Sequence, residues 1–147
     1  MGGNMNKAIT MEIYTSRLDV KEGEFVVLFG IQGVGKSYTL NKIKRDYPDK
    51  VCFLLRSERT AIRHRVEIVS AITRPYKIFL FDEPTDHNLD REDRMELLAL
   101  IKTLHDQGNT IIMATHDFAA VELGTRIIEL FPDKSFIEHG QGLHHLL

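Results

Sequence analysis

The sequence predicts an α/β fold built on a mostly parallel sheet with helices on both faces. Two observations carry this. Short apolar runs rich in β-branched residues recur along the chain without strict alternation, the pattern of strands covered on both faces. Amphipathic segments of helical length separate those runs, so strands and helices alternate as parallel pairing requires.

Each element follows in order. Thr10–Tyr14 reads as a short antiparallel N-terminal strand, and Phe25–Phe29 as the first strand of the main sheet. A helix over Ser37–Arg45 follows a glycine-rich loop and stops before Pro48. The next strand, Val51–Leu55, contains the lone Cys52, read as a small buried hydrophobe. From about Arg59 to Thr73 a second helix places Ile62, Val66, Val69 and Ile72 on one side and ends before Pro75. Ile78–Phe81 is the next strand. The segment from Arg91 to His105 carries Met95, Leu98, Ile101 and Leu104 at helical spacing and ends before Gly108. Thr110–Ala114 is a strand, Phe118–Leu123 a short helix, and Ile127–Leu130 with Ser135–Glu138 a closing hairpin turned by FPDKSF.

Composition narrows the class. A chain of 147 residues, 43% of them hydrophobic, closes one core, and no composition break divides it, so residues 1–147 are read as a single domain. The 19 basic residues nearly balance the 21 acidic ones, which gives no overall pull toward a polyanion. One cysteine excludes an intrachain disulfide framework and agrees with a reducing, cytoplasmic location. The opening MGGNMNKAIT has no apolar stretch and is not expected to be a signal peptide. No run approaches the 18 or so apolar residues of a membrane-spanning helix.

Three strand ends carry the chemistry. In FVVLFGIQGVGKSYTL an apolar run is followed by Gly30, four residues, Gly35, Lys36 and Ser37, and then by a helix. That is a phosphate-binding loop in the context it requires. Glycines let successive backbone N–H groups face an anion, and the helix adds its N-terminal dipole. Lys36 is expected to reach β- and γ-phosphate oxygens, and the Ser37 hydroxyl to ligate Mg²⁺. In KIFLFDEPTD, Asp82 and Glu83 stand just past an apolar strand, where open α/β sheets bind ligands. Asp82 suits holding magnesium through water or accepting from Ser37, and Glu83 suits a general base. The plainer alternative is a solvated helix-capping pair. TIIMATHDFAAVE repeats the arrangement with His116, which either hydrogen-bonds a γ-phosphate or simply caps and packs.

Together these segments resemble the nucleotide-binding domain of the ATP-binding cassette (ABC) ATPases, a P-loop NTPase fold. KEGEFVVLFGIQGVGKSYTL resembles the family's Walker A region, and KIFLFDEPTDHNLD its Walker B strand, catalytic glutamate and D-loop. TIIMATHD resembles the switch-histidine segment, and RIIELFPDKSFIEHG the closing hairpin. The likeness runs from about Glu22 to Gly140. It implies ATP and Mg²⁺ as ligands, with Gly30, Gly33, Val34, Gly35, Lys36, Ser37 and Tyr38 on the nucleotide and Ser37 and Asp82 on the metal. It also implies Glu83 as general base, His116 as γ-phosphate sensor and Lys36 as the phosphate-side cation.

The departures shape the functional expectation. Only 46 positions carry the chain from Lys36 to Asp82, too few for the helical subdomain that the family inserts there. Arg56 stands where the Q-loop glutamine would fall. ERTAI at Glu58–Ile62 replaces the glycine-bearing LSGGQ signature, and DHNLD is one residue longer than the family's D-loop. No residue clearly matches the adenine-stacking aromatic, since Tyr14 lies too near the loop.

The resulting expectation is Mg-dependent ATP binding with slow, dimer-dependent hydrolysis in a non-transport role. A homodimer or hetero-partner would complete the ATP site, and a transporter membrane subunit is not expected. The alternatives are a nucleotide-sensing module with negligible turnover and a small P-loop kinase. Arg56, Arg59, Arg63 and Arg65 are either arginine fingers or an ordinary basic helix face, and they are the sole hint of nucleic acid.

Overall fold

A computed structural model describes residues 6–56, 78–85 and 90–140. The chain runs β1 (Lys7–Ile13), β2 (Ser16–Lys21), β3 (Phe25–Phe29), α1 (Lys36–Asp46), β4 (Val51–Arg56), β5 (Ile78–Asp82), α2 (Arg91–Asp106), β6 (Thr110–Thr115), α3 (Phe118–Val121), β7 (Arg126–Leu130) and β8 (Phe136–His139). The expected helix over Arg59–Thr73 lies outside the described residues, as do Arg59, Arg63, Arg65, Glu58–Ile62 and most of the D-loop.

Strands β4, β5, β6, β3, β7 and β8 form one sheet in that order. All neighbours are parallel except β8, which runs antiparallel to β7. The fold class read from the sequence is therefore the one observed. Alternate residues of each central strand face opposite layers. Phe25, Val27, Phe29, Phe79 and Phe81 pack on one side against Leu97, Leu98, Ile101 and Leu104 of α2. Val26, Leu28, Leu80 and Ile112 pack on the other against Leu40 and Ile43 of α1 and against the N-terminal hairpin. Phe79 and Phe81 are almost fully buried, each worth about 1.5–3 kcal/mol of apolar burial.

Two local expectations are corrected. Met95, placed on the inner face of α2 by spacing, is 59% exposed, and Leu97 takes the core position instead. The core stripe runs through Leu97, Leu98, Ile101 and Leu104, and on a 3.6-residue turn Met95 falls to its flank; Asp90 caps the helix, accepting from Asp93 N at 2.7 Å. The N-terminal strand, expected alone at Thr10–Tyr14, is a hairpin of β1 and β2 in its own two-stranded sheet. SRLDVK escaped notice because only Val20 of it is buried, so its pattern is that of a polar surface strand.

Tyr47, Lys50 and Arg126 fasten this hairpin. The Tyr47 hydroxyl accepts from Thr10 N at 3.0 Å, and Lys50 Nζ donates to Ala8 O at 3.0 Å. Arg126 on β7 donates to Asp19 O and pairs with Glu24 and Glu138. No helix among the described residues is long and apolar enough to cross a membrane.

Candidate functional site

Register brings the three candidate strand ends together. Phe29 of β3 lies opposite Thr115 of β6, and Asp82 of β5 lies opposite Ala114 of β6. The segments after these strands therefore emerge side by side at the carboxyl edge of the sheet, where α/β folds bind ligands.

The loop Gly30–Ser37 has its shape imposed by backbone constraints. At Gly30 a Cβ would sit 2.8 Å from Leu130 O and 3.0 Å from a Val34 methyl, so no side chain fits. Gly35 has φ +106 and Gly33 φ +89, in the left-handed region that favours glycine. Gly35 caps α1 without a side-chain acceptor, and the first turn of α1 contains no acidic residue. The helix thus presents its N-terminal N–H groups and the positive end of its dipole to a cleft of about 440 Å³ lined by Gly33, Gly35, Lys36, Ser37, Tyr38 and Glu83. Such a cradle fits a phosphate chain.

Charged groups converge on the same cleft. Lys36, 5% exposed, folds back to donate to Gly30 O and to Ile31 O, and its Nζ lies 3.1 Å from Glu83 Oε1. That contact is an ion pair out of line for a hydrogen bond, so Oε1 is a buried oxygen with no hydrogen-bond donor among the described residues. The other carboxylate oxygen lies 2.9 Å from His116 Nδ1 and accepts from His116 N at 3.4 Å. Glu83 itself has φ +50, a costly conformation for a side-chain-bearing residue. Its backbone N–H donates to Ala114 O at 2.8 Å, which ties the bend to β6.

Ser37 Oγ donates to Asp82 Oδ2 at 2.8 Å, and Asp82 is buried. Two hard oxygen donors beside a phosphate cradle suit Mg²⁺, which takes few protein ligands and completes its shell with water and phosphate. Among the described residues no group of three or more His, Cys, Asp or Glu gathers to hold a metal unaided. The donor set fits a metal that arrives with its nucleotide.

The structure thus unites Gly30, Gly33, Gly35, Lys36, Ser37, Asp82, Glu83 and His116. Val34 is buried, with its side chain in the core rather than in the cleft. Tyr38 is 70% exposed on the rim. The side chain of Arg56 is not described. Sequence reasoning missed two supports. Thr85 Oγ1 donates to Asp117 Oδ2 at 3.0 Å, joining the DEPT and ATHD segments, while Asp117 Oδ1 caps α3 through Ala119 N at 2.9 Å. The second is Tyr14, whose hydroxyl lies 2.7 Å from Val34 O.

Comparison with known proteins agrees with this geometry. No family model matches the chain. The solved dimer of the ATP-binding cassette MJ0796 bound to ADP and Pi is 20% identical, covering 95% of this chain and 97% of its own, with a TM-score of 0.59. The structure of cbiO1 from Clostridium perfringens, part of the ABC transporter complex cbiONQ, is 14% identical over 97% of this chain and 89% of its own, with a TM-score of 0.66. The fold is that of an ABC ATPase domain. In sequence, the chain is 41% identical over 68 residues to the macrolide export ATP-binding/permease protein MacB of Bartonella henselae, and equally to MacB 1 of Aeromonas hydrophila. Those matches cover 46% of this chain and 10% of each relative, so it spans about a tenth of their length. The expected role outside transport finds no support here. The named relatives are export proteins and cbiO1 is a transporter part, which runs against the expectation that a membrane subunit is not a partner.

Proposed function

We propose that this chain binds Mg–ATP on Gly30–Ser37 and hydrolyses its terminal phosphoanhydride slowly, with a second subunit completing the site. The observation that carries this reading is that Lys36, Ser37 and Glu83 line one cleft fronted by a helix N-terminus, with Asp82 bonded to Ser37 and His116 in contact with Glu83. The dimeric state of the MJ0796 cassette supports the second subunit. Its occupant here is a further copy or a hetero-partner, and the export relatives favour a membrane protein in the wider assembly. A cytoplasmic location belongs to the same proposal, because a site for Mg–ATP implies a compartment that supplies it.

The chemistry follows from the side chains. The amides of Gly33, Val34, Gly35, Lys36, Ser37 and Tyr38 bind and orient the phosphate chain. Lys36 swings from Glu83 and the loop carbonyls onto phosphate oxygens and neutralises charge there. Release of that ion pair leaves the Glu83 carboxylate to accept a proton from the attacking water. His116, held by Glu83, offers its remaining ring nitrogen to a γ-phosphate oxygen or to that water. Mg²⁺ held by Ser37 and, across water, by Asp82 would supply further charge neutralisation.

One observation favours a nucleotide-sensing reading with little turnover. Glu83 is held between Lys36 and His116, a resting arrangement in which both carboxylate oxygens lie against neighbouring side chains. Phosphate release, followed over a wide range of protein concentration with Glu83→Gln as control, separates the two. Release that rises more than linearly with protein and disappears in the variant supports the dimer-dependent ATPase. Measurable ATP binding with no release above the variant rejects hydrolysis by this chain alone and leaves the sensor.

A further inference from the structure

Beside the phosphate cleft lies a residue whose backbone and side chain have different physical preferences. β1 and β2 are joined by the two residues Tyr14 and Thr15, because Ile13 pairs with Ser16. Two-residue hairpin loops with positive φ at the first position favour glycine, or asparagine and aspartate where both are positive. Here the first position is Tyr14 at φ +54. A bulky residue in that region is strained, and it persists where the surroundings hold it for another reason.

The side chain supplies that reason. Tyr14 Oη donates to Val34 O at 2.7 Å and lies 3.3 Å from Phe131 O, so its proton serves chiefly the phosphate loop and secondarily the β7–β8 turn. The ring edge stands 3.7 Å from where a Gly35 Cβ would be, an ordinary packing distance. Burial, and then the negative charge of Asp133, raise the phenol above its ordinary value, so the hydroxyl remains a donor throughout the neutral range.

Peptide geometry turns this contact into a functional statement. In a planar trans peptide the carbonyl and the following N–H point in opposite directions. No cis bond occurs among the described residues, so the Val34–Gly35 peptide obeys that rule. A phenol that pins Val34 O therefore sets the direction of Gly35 N–H, one of the amides expected to meet the phosphates. We infer that Tyr14 is a positioning residue for the phosphate loop, orienting the Val34–Gly35 peptide by a hydrogen bond from outside the cleft and bracing it against the β7–β8 turn. Its hydroxyl is thereby committed to backbone, which makes it a support rather than a platform for a base. The inference rests on reading Gly30–Ser37 as a phosphate loop.

Tyr14→Phe is the test, because it removes one oxygen and keeps the ring, the packing and the backbone conformation. Titrations with Mg–ADP and Mg–ATP should show binding weakened about 3- to 10-fold and by the same factor for both, since the affected peptide precedes the γ-phosphate contacts. The rate at saturating ATP should stay within about twofold of the parent, a KM effect without a kcat effect. Backbone amide NMR of the nucleotide-free protein should show the Val34 and Gly35 signals displaced. As a second variant, Tyr14→Gly relieves the positive φ, so its affinity should fall even where its melting temperature does not. Unchanged nucleotide affinity in Tyr14→Phe, or unmoved loop signals, overturns the inference. Affinity in the two variants that merely follows their melting temperatures also overturns it. A parent protein that binds no nucleotide defeats the phosphate-loop reading instead, and the NMR arm then decides the role of Tyr14.

Discussion

The two halves of the cleft are held by different forces. On the β3 side, the shape of Gly30–Ser37 is written into the backbone: a crowded Gly30, left-handed Gly33 and Gly35, and the Tyr14 phenol behind Val34. On the β5 and β6 side, position is set by charge, with Glu83 caught between Lys36 and His116. The first half is already complementary to an anion. The second half is held together by contacts of its own, so a ligand must break them before those side chains are released. On the proposed function, a site divided this way would bind through its rigid half and turn over through its exchangeable half.

The sharpest way to break that contrast is Glu83→Gln. Loss of the base should reduce phosphate release by about 10²- to 10⁴-fold. ATP affinity should rise rather than fall, because Lys36 no longer has to leave a carboxylate. Equilibrium titration alongside the turnover assay checks both, and a weaker affinity would show that charge pairing does not oppose the ligand.

Next in size is Gly30→Ala. The added methyl meets the Leu130 carbonyl at 2.8 Å, a backbone atom that cannot rotate away. Overpacking of this kind costs about 1–3 kcal/mol, and nucleotide binding should fall with it. Urea unfolding followed by titration of the folded fraction measures the two separately. Gly33→Ala sharpens the point, because its Cβ would meet nothing within 4 Å and the whole penalty comes from φ +89. About 1–2 kcal/mol is expected from the left-handed conformation alone. A loss as large as that of Gly30→Ala would place steric crowding at Gly33 as well.

The smallest effect belongs to the charge-held side. Asp117→Ala removes the cap of α3 and the acceptor for Thr85, worth about 1 kcal/mol in thermal or denaturant unfolding. ADP affinity should be unchanged, because neither group touches the phosphate loop. Weakened ADP binding would mean that the two halves are mechanically linked through β6.

Much of this was legible in the linear chain, for reasons that are local. FVVLF, IFLFD and TIIMAT are continuous apolar runs, and a parallel strand buried on both faces needs nothing subtler. The phosphate loop is equally local, since glycine spacing, lysine and serine act within eight residues of one another. Errors arose where burial is not a matter of period alone. Met95 is three residues from Leu98 but falls off the stripe of Leu97, Leu98, Ile101 and Leu104 on a 3.6-residue turn, and SRLDVK is the exposed strand of a hairpin whose buried side chains come mainly from β1. The contacts of Tyr14 and Thr85 gave no signal, because their partners are 20 and 32 residues away in sequence.

Residue type and spacing were thus enough to determine the fold class and to single out the loop Gly30–Ser37 and the polar side chains that gather beside it. Local periodicity, glycine geometry and short-range motif order act over a few residues and leave their trace in the string. Only the tertiary arrangement decided that Lys36 rests on Glu83, that His116 closes on the same carboxylate, and that a phenol from the first hairpin aims a peptide in the loop. Those contacts depend on which strand lies beside which and in what register. Register between distant strands is set by the packing of both sheet faces at once, which no single segment encodes.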